Sequence, residues 1–320
     1  MISIDPKQLS FAKKEHKKGL EKYIIRNVEL SLSASNQTKL KQFIRENSEK
    51  ILIGDLQQLL TLNKKLVKLI VEIDKDGVDI LQKDLKKIFI YETIRGREEH
   101  LYNLYKLSKN LGIEVCPYCN RNYTTSHQYK VNVKDIEKNK YIFPAFDHFK
   151  SQTDFPLFAL SFNNLIPTCS ICNSSIKNAT NINLRHPYNQ DYITNYYTFS
   201  FTPNDYESLI GKKENIEIGI NYKEGINQKV KEEIERTLQF FNTKDTYEKN
   251  HKGVIKEIIN KKLIFTEKYM NELEASYKIS FNDSYKILFE SYYEEDKLHK
   301  RPFSKLKKDI FDDINIKANL

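Results

Sequence analysis

All four cysteines of this 320-residue chain fall in two Cys-x-x-Cys pairs, Cys116-Pro-Tyr-Cys119 and Cys169-Ser-Ile-Cys172. Thiolates two residues apart bite one ion from a tight turn, so two such turns are the sequence form of a tetrahedral four-cysteine zinc site. Cys116, Cys119, Cys169 and Cys172 are therefore expected to hold one structural zinc. The plainer alternative is two unrelated pairs of buried thiols, which would not explain why every cysteine sits in ligand spacing. A disulfide framework suits small secreted chains; this chain is large, and Met1 to Leu20 contain no apolar signal core.

The stretch between the pairs, residues 120–168, is longer than a compact zinc ribbon needs, so something must be built inside it. It contains Pro144-Ala-Phe-Asp147-His148-Phe149 and then Asn163-Asn164-Leu165-Ile166-Pro167, and the second cysteine pair runs on into Asn173 and Lys177. In this order the chain resembles the HNH branch of the ββα-metal (His-Me finger) nucleases, over roughly residues 114–190. In that family an Asp-His ends the first strand, an Asn-Leu marks the second, and a Cys-x-x-Cys-Asn run followed by a lysine opens the helix. Asp147 and His148 match the first element, Asn164 and Leu165 the second, and Cys172, Asn173 and Lys177 the third. Asn163 and Asn164 are chemically equivalent candidates, and the leucine that follows favours Asn164. The chain departs from the family after Lys177, where Asn-Ala-Thr-Asn lacks the usual glycine.

The chemistry of these residues agrees with that resemblance. Hydrolysing a phosphodiester needs a deprotonated water, stabilisation of charge on the phosphate and help for the leaving oxygen. His148 is the expected general base, since a neutral imidazole accepts a proton near pH 7. Asp147 and Asn173 offer hard oxygen ligands to one catalytic Mg²⁺ or Mn²⁺. By resemblance, the Asn164 amide fixes the loop that aims His148 without touching the metal. Lys177, four residues after Asn173 on the expected helix, shares its face and could reach a phosphate. The other histidines have no ligand spacing to one another and are taken as structural or exposed, with His127 and His186 flanking the site.

The 30% charged and 39% hydrophobic fractions describe a water-facing globular chain, and no apolar run approaches the length of a membrane span. The expected compartment is the reducing cytoplasm, where thiolates stay available to zinc. Nine glycines and eight prolines leave little room for long flexible linkers. Three regions separate. Residues 1–110 read as a helical lobe: Leu59, Leu62, Leu66, Leu69 and Ile73 step by three and four, and a helical run from Asp84 to Asn110 ends at Gly112. Residues 111–220 are expected to hold the nuclease core that the resemblance implies, with strands at Tyr123–Val133, Tyr141–Phe149, Tyr197–Phe201 and Ile216–Ile220. Residues 221–320 return to helix, clearest over Val230–Phe241, Val254–Lys278 and Asp283–Tyr293. The expected fold class is α+β, a zinc-braced ββα-metal core between two helical lobes.

Residues 1–110 carry 22 Lys+Arg against 15 Asp+Glu, so most of the net charge of +9 lies in the N-terminal lobe. Lys13, Lys14, Lys17 and Lys18 are the densest cluster and are candidate phosphate contacts, against the ordinary alternative of a solvated helix face. No helix-turn-helix or zinc-finger reader and no phosphate-binding P-loop occurs. The motif style is similar to HNH proteins that accompany ATPases in prokaryotic anti-phage systems, including Septu-type and retron-linked nucleases. The expected function is a metal-dependent HNH endonuclease with DNA as substrate, and that likeness implies an ATPase partner. The alternatives are a zinc-braced nucleic-acid-binding or scaffold module whose nuclease site is idle, and an RNA-directed nuclease such as one cutting tRNA.

Overall fold

Pro6, whose fixed φ suits a first helical turn, opens helix α1 (Pro6–Ser31) behind Asp5, whose carboxylate accepts from the Lys7 amide at 2.7 Å. The buried residues of α1 (Leu9, Ala12, His16, Leu20, Ile24, Val28) recur every three or four positions, a single stripe that needs neighbours. The computed structural model describes residues 1–32, 37–73, 78–96, 101–133, 136–178, 180, 182–189 and 191–318. It surrounds α1 with α2 (Thr38–Glu46), α3 (Ser48–Ile53), α4 (Leu56–Ile73), α5 (Val78–Ile88), α6 (Tyr91–Gly96) and α7 (Leu104–Leu111). On α4, Leu59, Leu62 and Leu66 are buried as their spacing predicts, and Ile70 completes the stripe while Leu69 and Ile73 are only partly covered. The single helix expected over Asp84–Asn110 is instead the end of α5 followed by α6 and α7, with residues 97–100 outside the described residues. Asn103 accepts from the Lys106 amide at 3.0 Å and so starts a new helix, which Gly112 closes at φ 59°.

Among the described residues three small antiparallel sheets follow, each of two strands: β1 (His127–Val133) with β2 (Ile136–Ile142), β3 (Ala145–His148) with β4 (Leu165–Thr168), and β5 (Tyr197–Pro203) with β6 (Ile216–Tyr222). The strand expected over Tyr141–Phe149 is broken before β3, where Pro144 has no amide to donate to a ladder. β3 and β4 pair Asp147 with Ile166 and His148 with Leu165. The chain then enters a short helical segment, Ile171–Lys177, wound as π-helix, with the Asn178 amide donating to the Asn173 carbonyl at 2.7 Å. Asn178 ends it at φ 47°, the positive-φ position a glycine would otherwise fill.

The remaining helices are α8 (Tyr206–Leu209), between β5 and β6, then α9 (Gln228–Phe240), α10 (Thr243–Asn250), α11 (Lys252–Ile264), α12 (Glu267–Tyr277), α13 (Phe281–Phe289) and α14 (Ser304–Ala318). The helix expected over Val254–Lys278 is divided, because the Thr266 hydroxyl accepts from the Tyr269 amide and caps α12. The apolar interior forms two clusters. One joins α1 to α7 with β3, β4 and the cysteines; the other joins β5 and β6 to the C-terminal helices. The β5–β6 pair, placed with the nuclease core on sequence grounds, instead packs on α10 and α14. The architecture is α+β, and no helix among the described residues is long and apolar enough to cross a membrane.

Buried histidines stitch these layers together. His16 of α1 bonds the Leu160 carbonyl at 2.8 Å, His186 bonds the Asn163 carbonyl at 2.7 Å, and His299 meets Gln8 of α1 at 3.0 Å. Burial pushes each of them down to about 4. All three are neutral when folded but bind protons in the unfolded chain below about pH 6.5. The unfolded state therefore gains protons first, and stability, full above pH 6.5, should fall as pH drops toward 4. Urea unfolding at pH 7 and pH 5 measures this, and a His16→Gln variant should show a shallower decline.

Candidate active site and metal centre

The two Cys-x-x-Cys turns meet. The four Sγ atoms of Cys116, Cys119, Cys169 and Cys172 lie within 4.8 Å of one another, all buried and none in a disulfide. A tetrahedral zinc with Zn–S bonds of about 2.3 Å puts its sulfurs roughly 3.8 Å apart, and Cys119 and Cys169 stand at 3.9 Å. The first turn is closed by the Asn120 amide donating to the Cys116 carbonyl at 2.8 Å, with Asn120 at φ 48°. Asn122 Nδ2 and the Cys172 amide both point at Cys169 Sγ, at 3.4 and 3.5 Å. Burial pushes the Cys116 thiol well above its usual range, and a cation among the sulfurs would favour their ionised form. The donor set fits zinc, and among the described residues it is the one cluster of His, Cys, Asp or Glu suited to a metal.

Beside it opens a cleft of about 260 Å³ lined by Asp147, His148, Asn173 and Lys177 together with Phe146, Ser151, Gln152, Thr153, Ser174 and Asn178. The fold thus gathers Asp147 and His148 from β3 and Asn173 from the π-helical turn. His148 Nε2 lies 3.1 Å from the Ala159 carbonyl. A carbonyl only accepts, so Nε2 carries the proton and Nδ1 keeps its lone pair. Burial, with a smaller push from the Lys177 ammonium, lowers this imidazole to about 4, so it is neutral at pH 7.

Asn164 lies beneath the cleft, fully buried. Its Oδ1 accepts from the Lys150 amide at 2.7 Å, and its Nδ2 donates to the carbonyls of Lys150 and Phe158 at 3.0 Å each. One side chain therefore ties Lys150 to Phe158, the residue before Ala159, whose carbonyl is the acceptor for His148. Asn163 does something else: its Nδ2 donates to the Gly54 carbonyl at 2.7 Å, fastening this region to the end of α3. The two asparagines, equivalent in sequence, have distinct places.

Lys177 is where expectation and geometry part. It is 1% exposed, and its ammonium donates to Asp147 Oδ1 at 2.9 Å and to the His148 carbonyl at 2.8 Å. It serves Asp147 rather than a phosphate, because its stem runs inward along the packed side of the turn. The other Asp147 oxygen accepts from the Tyr118 hydroxyl at 2.7 Å. Burial pushes this carboxyl up while Lys177 and Tyr118 hold it down. Asp147 and Asn173 still offer oxygen donors to Mg²⁺ or Mn²⁺, since a carboxylate has lone pairs beyond the two engaged. An ion on Asp147 would share it with an ammonium.

The N-terminal lysines are elsewhere. Lys17 pairs with Glu49 at 2.7 Å, Lys13 lies over the Phe162 ring in a separate recess beside Asp55 and His186, and Lys14 and Lys18 are exposed on α1. None of the four lines the cleft. His127 is exposed, and His186 is committed to the backbone. Sequence reasoning passed over Tyr118, visible only as the filler of the first cysteine pair, and Tyr91, whose ring meets His148 edge-on with centroids 4.6 Å apart. No family model, curated protein or solved structure matches this chain.

Two measurements follow from this geometry. Elemental analysis should find about one zinc per chain, and Cys169→Ser should cost more than about 4 kcal/mol of stability, as loss of a structural metal does. In Lys177→Met the buried Asp147 carboxylate loses its cation, a defect of about 3–5 kcal/mol. Added Mn²⁺ should restore that variant's melting temperature far more than it raises the wild type's.

Proposed function

We propose that this protein is a metal-dependent endonuclease of the HNH type that hydrolyses phosphodiester bonds, with DNA as its substrate. The observation that carries this reading is the cleft itself. A neutral histidine with a free Nδ1 lies beside an aspartate and an asparagine, and these are the residues the motif names, on two antiparallel strands and the turn after them. In this reading a water bound against the scissile phosphate gives its proton to His148 Nδ1 as its oxygen attacks phosphorus and the 3′ oxygen departs. The Ala159 carbonyl holds the ring in the tautomer this requires, and Asn164 holds the neighbouring Phe158 carbonyl. The anionic phosphodiester raises the His148 pKa toward the range where a base works best. Asp147 and Asn173 would hold Mg²⁺ or Mn²⁺, which would supply charge stabilisation at the phosphate. The four-cysteine zinc takes no part in the chemistry.

The likeness to nucleases of anti-phage systems extends the proposal to an effector role in such a system beside an ATPase partner. The second reading, a zinc-braced nucleic-acid-binding or scaffold protein with an idle site, draws on the Lys177–Asp147 ion pair, which balances the carboxylate without any metal. An RNA target uses the same chemistry, because the 2′-hydroxyl has no role in it.

Incubating the protein with plasmid, single-stranded DNA and total RNA, with and without Mg²⁺ or Mn²⁺, separates these readings. The expected result is metal-dependent DNA cleavage that falls by about 10²- to 10⁴-fold or more in His148→Ala, the usual worth of a general base. Asp147→Ala and Asn173→Ala should lose activity and also require more metal. Equal cleavage by all three variants and the wild type would remove the assignment.

A further inference from the structure

The cleft over His148 continues past its own walls. Its Gln152 and Thr153 also line a second recess of about 240 Å³, and its Phe146 and Asn173 also line a third of about 490 Å³. Tyr91 of α6 lines both of these outer recesses while its ring packs at 71° against the His148 imidazole. Three hollows therefore meet around one imidazole and one phenol ring. The outer two each carry an exposed cation from the N-terminal helices, Lys86 of α5 in the second and Arg95 of α6 in the third. Among the described residues, Glu92 is the sole carboxylate on the three walls apart from Asp147, and it faces Arg95 across 3.7 Å at the surface.

We propose that this trough is the path of a single nucleic-acid strand, with its backbone running from Lys86 past His148 to Arg95. A base beside the scissile phosphate stacks on Tyr91. The assignment rests on the nuclease reading above and adds a substrate class to it. A cationic groove interrupted by an aromatic ring at its reactive point is the pattern of single-strand binding, where stacking on exposed base faces supplies affinity. A duplex keeps its bases stacked on one another and offers none to Tyr91. It also places substrate binding on α5 and α6 rather than on the α1 lysines, none of which lines the trough.

Fluorescence anisotropy tests this with the full chain in buffer without added divalent metal, using a labelled oligothymidylate of about 20 nucleotides, longer than a typical single-strand site, and a duplex of equal length. The single strand should bind more tightly than the duplex. Tyr91→Leu should weaken single-strand binding by about tenfold or more, the worth of one stacked base, whereas Tyr91→Phe should bind like the parent. Lys86→Glu with Arg95→Glu should lower the salt slope of log K by about 1.4, from two lost phosphate contacts on a single strand. Lys14→Glu with Lys18→Glu should leave the slope unchanged. Zinc content and circular dichroism verify that each variant is folded. Tighter duplex binding, or Tyr91→Leu and the double cation variant binding like the parent, overturns the trough but leaves the nuclease reading standing if His148→Ala still abolishes cleavage. Tyr91→Leu that cuts poorly yet binds normally would make Tyr91 a support for His148 and nothing more. A parent that binds neither strand form and cuts nothing overturns both.

Discussion

Four sulfur atoms held within 4.8 Å of one another decide where everything else in the cleft can be. The two cysteine turns come from opposite ends of the central region, one before β1 and one after β4. Each also delivers a partner of Asp147. Tyr118 sits between the first two cysteines and gives its hydroxyl to one carboxylate oxygen; Lys177, at the end of the turn that Cys172 opens, gives its ammonium to the other. Asn173, next to Cys172, faces the same cleft. A zinc closing the sulfurs therefore fixes the aspartate, the lysine and the asparagine together. The first cysteine turn also reaches the second core, through the Tyr247 hydroxyl on the Cys119 carbonyl at 2.8 Å and the Asn120 side chain on the Lys305 amide at 3.1 Å.

Charge in the cleft is nearly balanced before any ligand arrives. A buried Asp147 alone would cost several kcal/mol, and Lys177 offsets that cost at the price of competing with any divalent ion. His148 stays neutral through burial, the form that the proposed role as a base requires. The structure shows the arrangement closed by the ammonium; under the proposed function a metal would share the carboxylate and give a second arrangement of different charge.

Much of this was legible in the sequence where side chains carry the signal. The cysteine spacing, the Asp147-His148 pair, Asn164 and Asn173 name the residues found around the cleft, and Gly112 marks a helix end found at positive φ. What stayed hidden depends on depth and main chain. Helical spacing put Lys177 on the face of Asn173, but the wider π turn and the packing beneath it decide that its ammonium points inward. Ala159 acts through its carbonyl, which no residue type announces. Tyr91 reaches His148 only through the packing of α6 on the core. Single caps, Asn103 and Thr266, divide runs that periodicity reads as continuous, and Pro144 does the same for a strand.

The central claim is that one chain holds two metals of different kinds, a zinc that builds the site and an oxygen-bound ion that works in it. Anomalous diffraction from crystals grown with Mn²⁺, recorded at the zinc and manganese edges, tests it directly. The expected maps place a zinc peak among Cys116, Cys119, Cys169 and Cys172 and a separate manganese peak between Asp147 and Asn173. A zinc peak alone, with the Lys177 ammonium still on Asp147 at saturating Mn²⁺, would contradict the catalytic half of the claim; no peak among the sulfurs would contradict the whole.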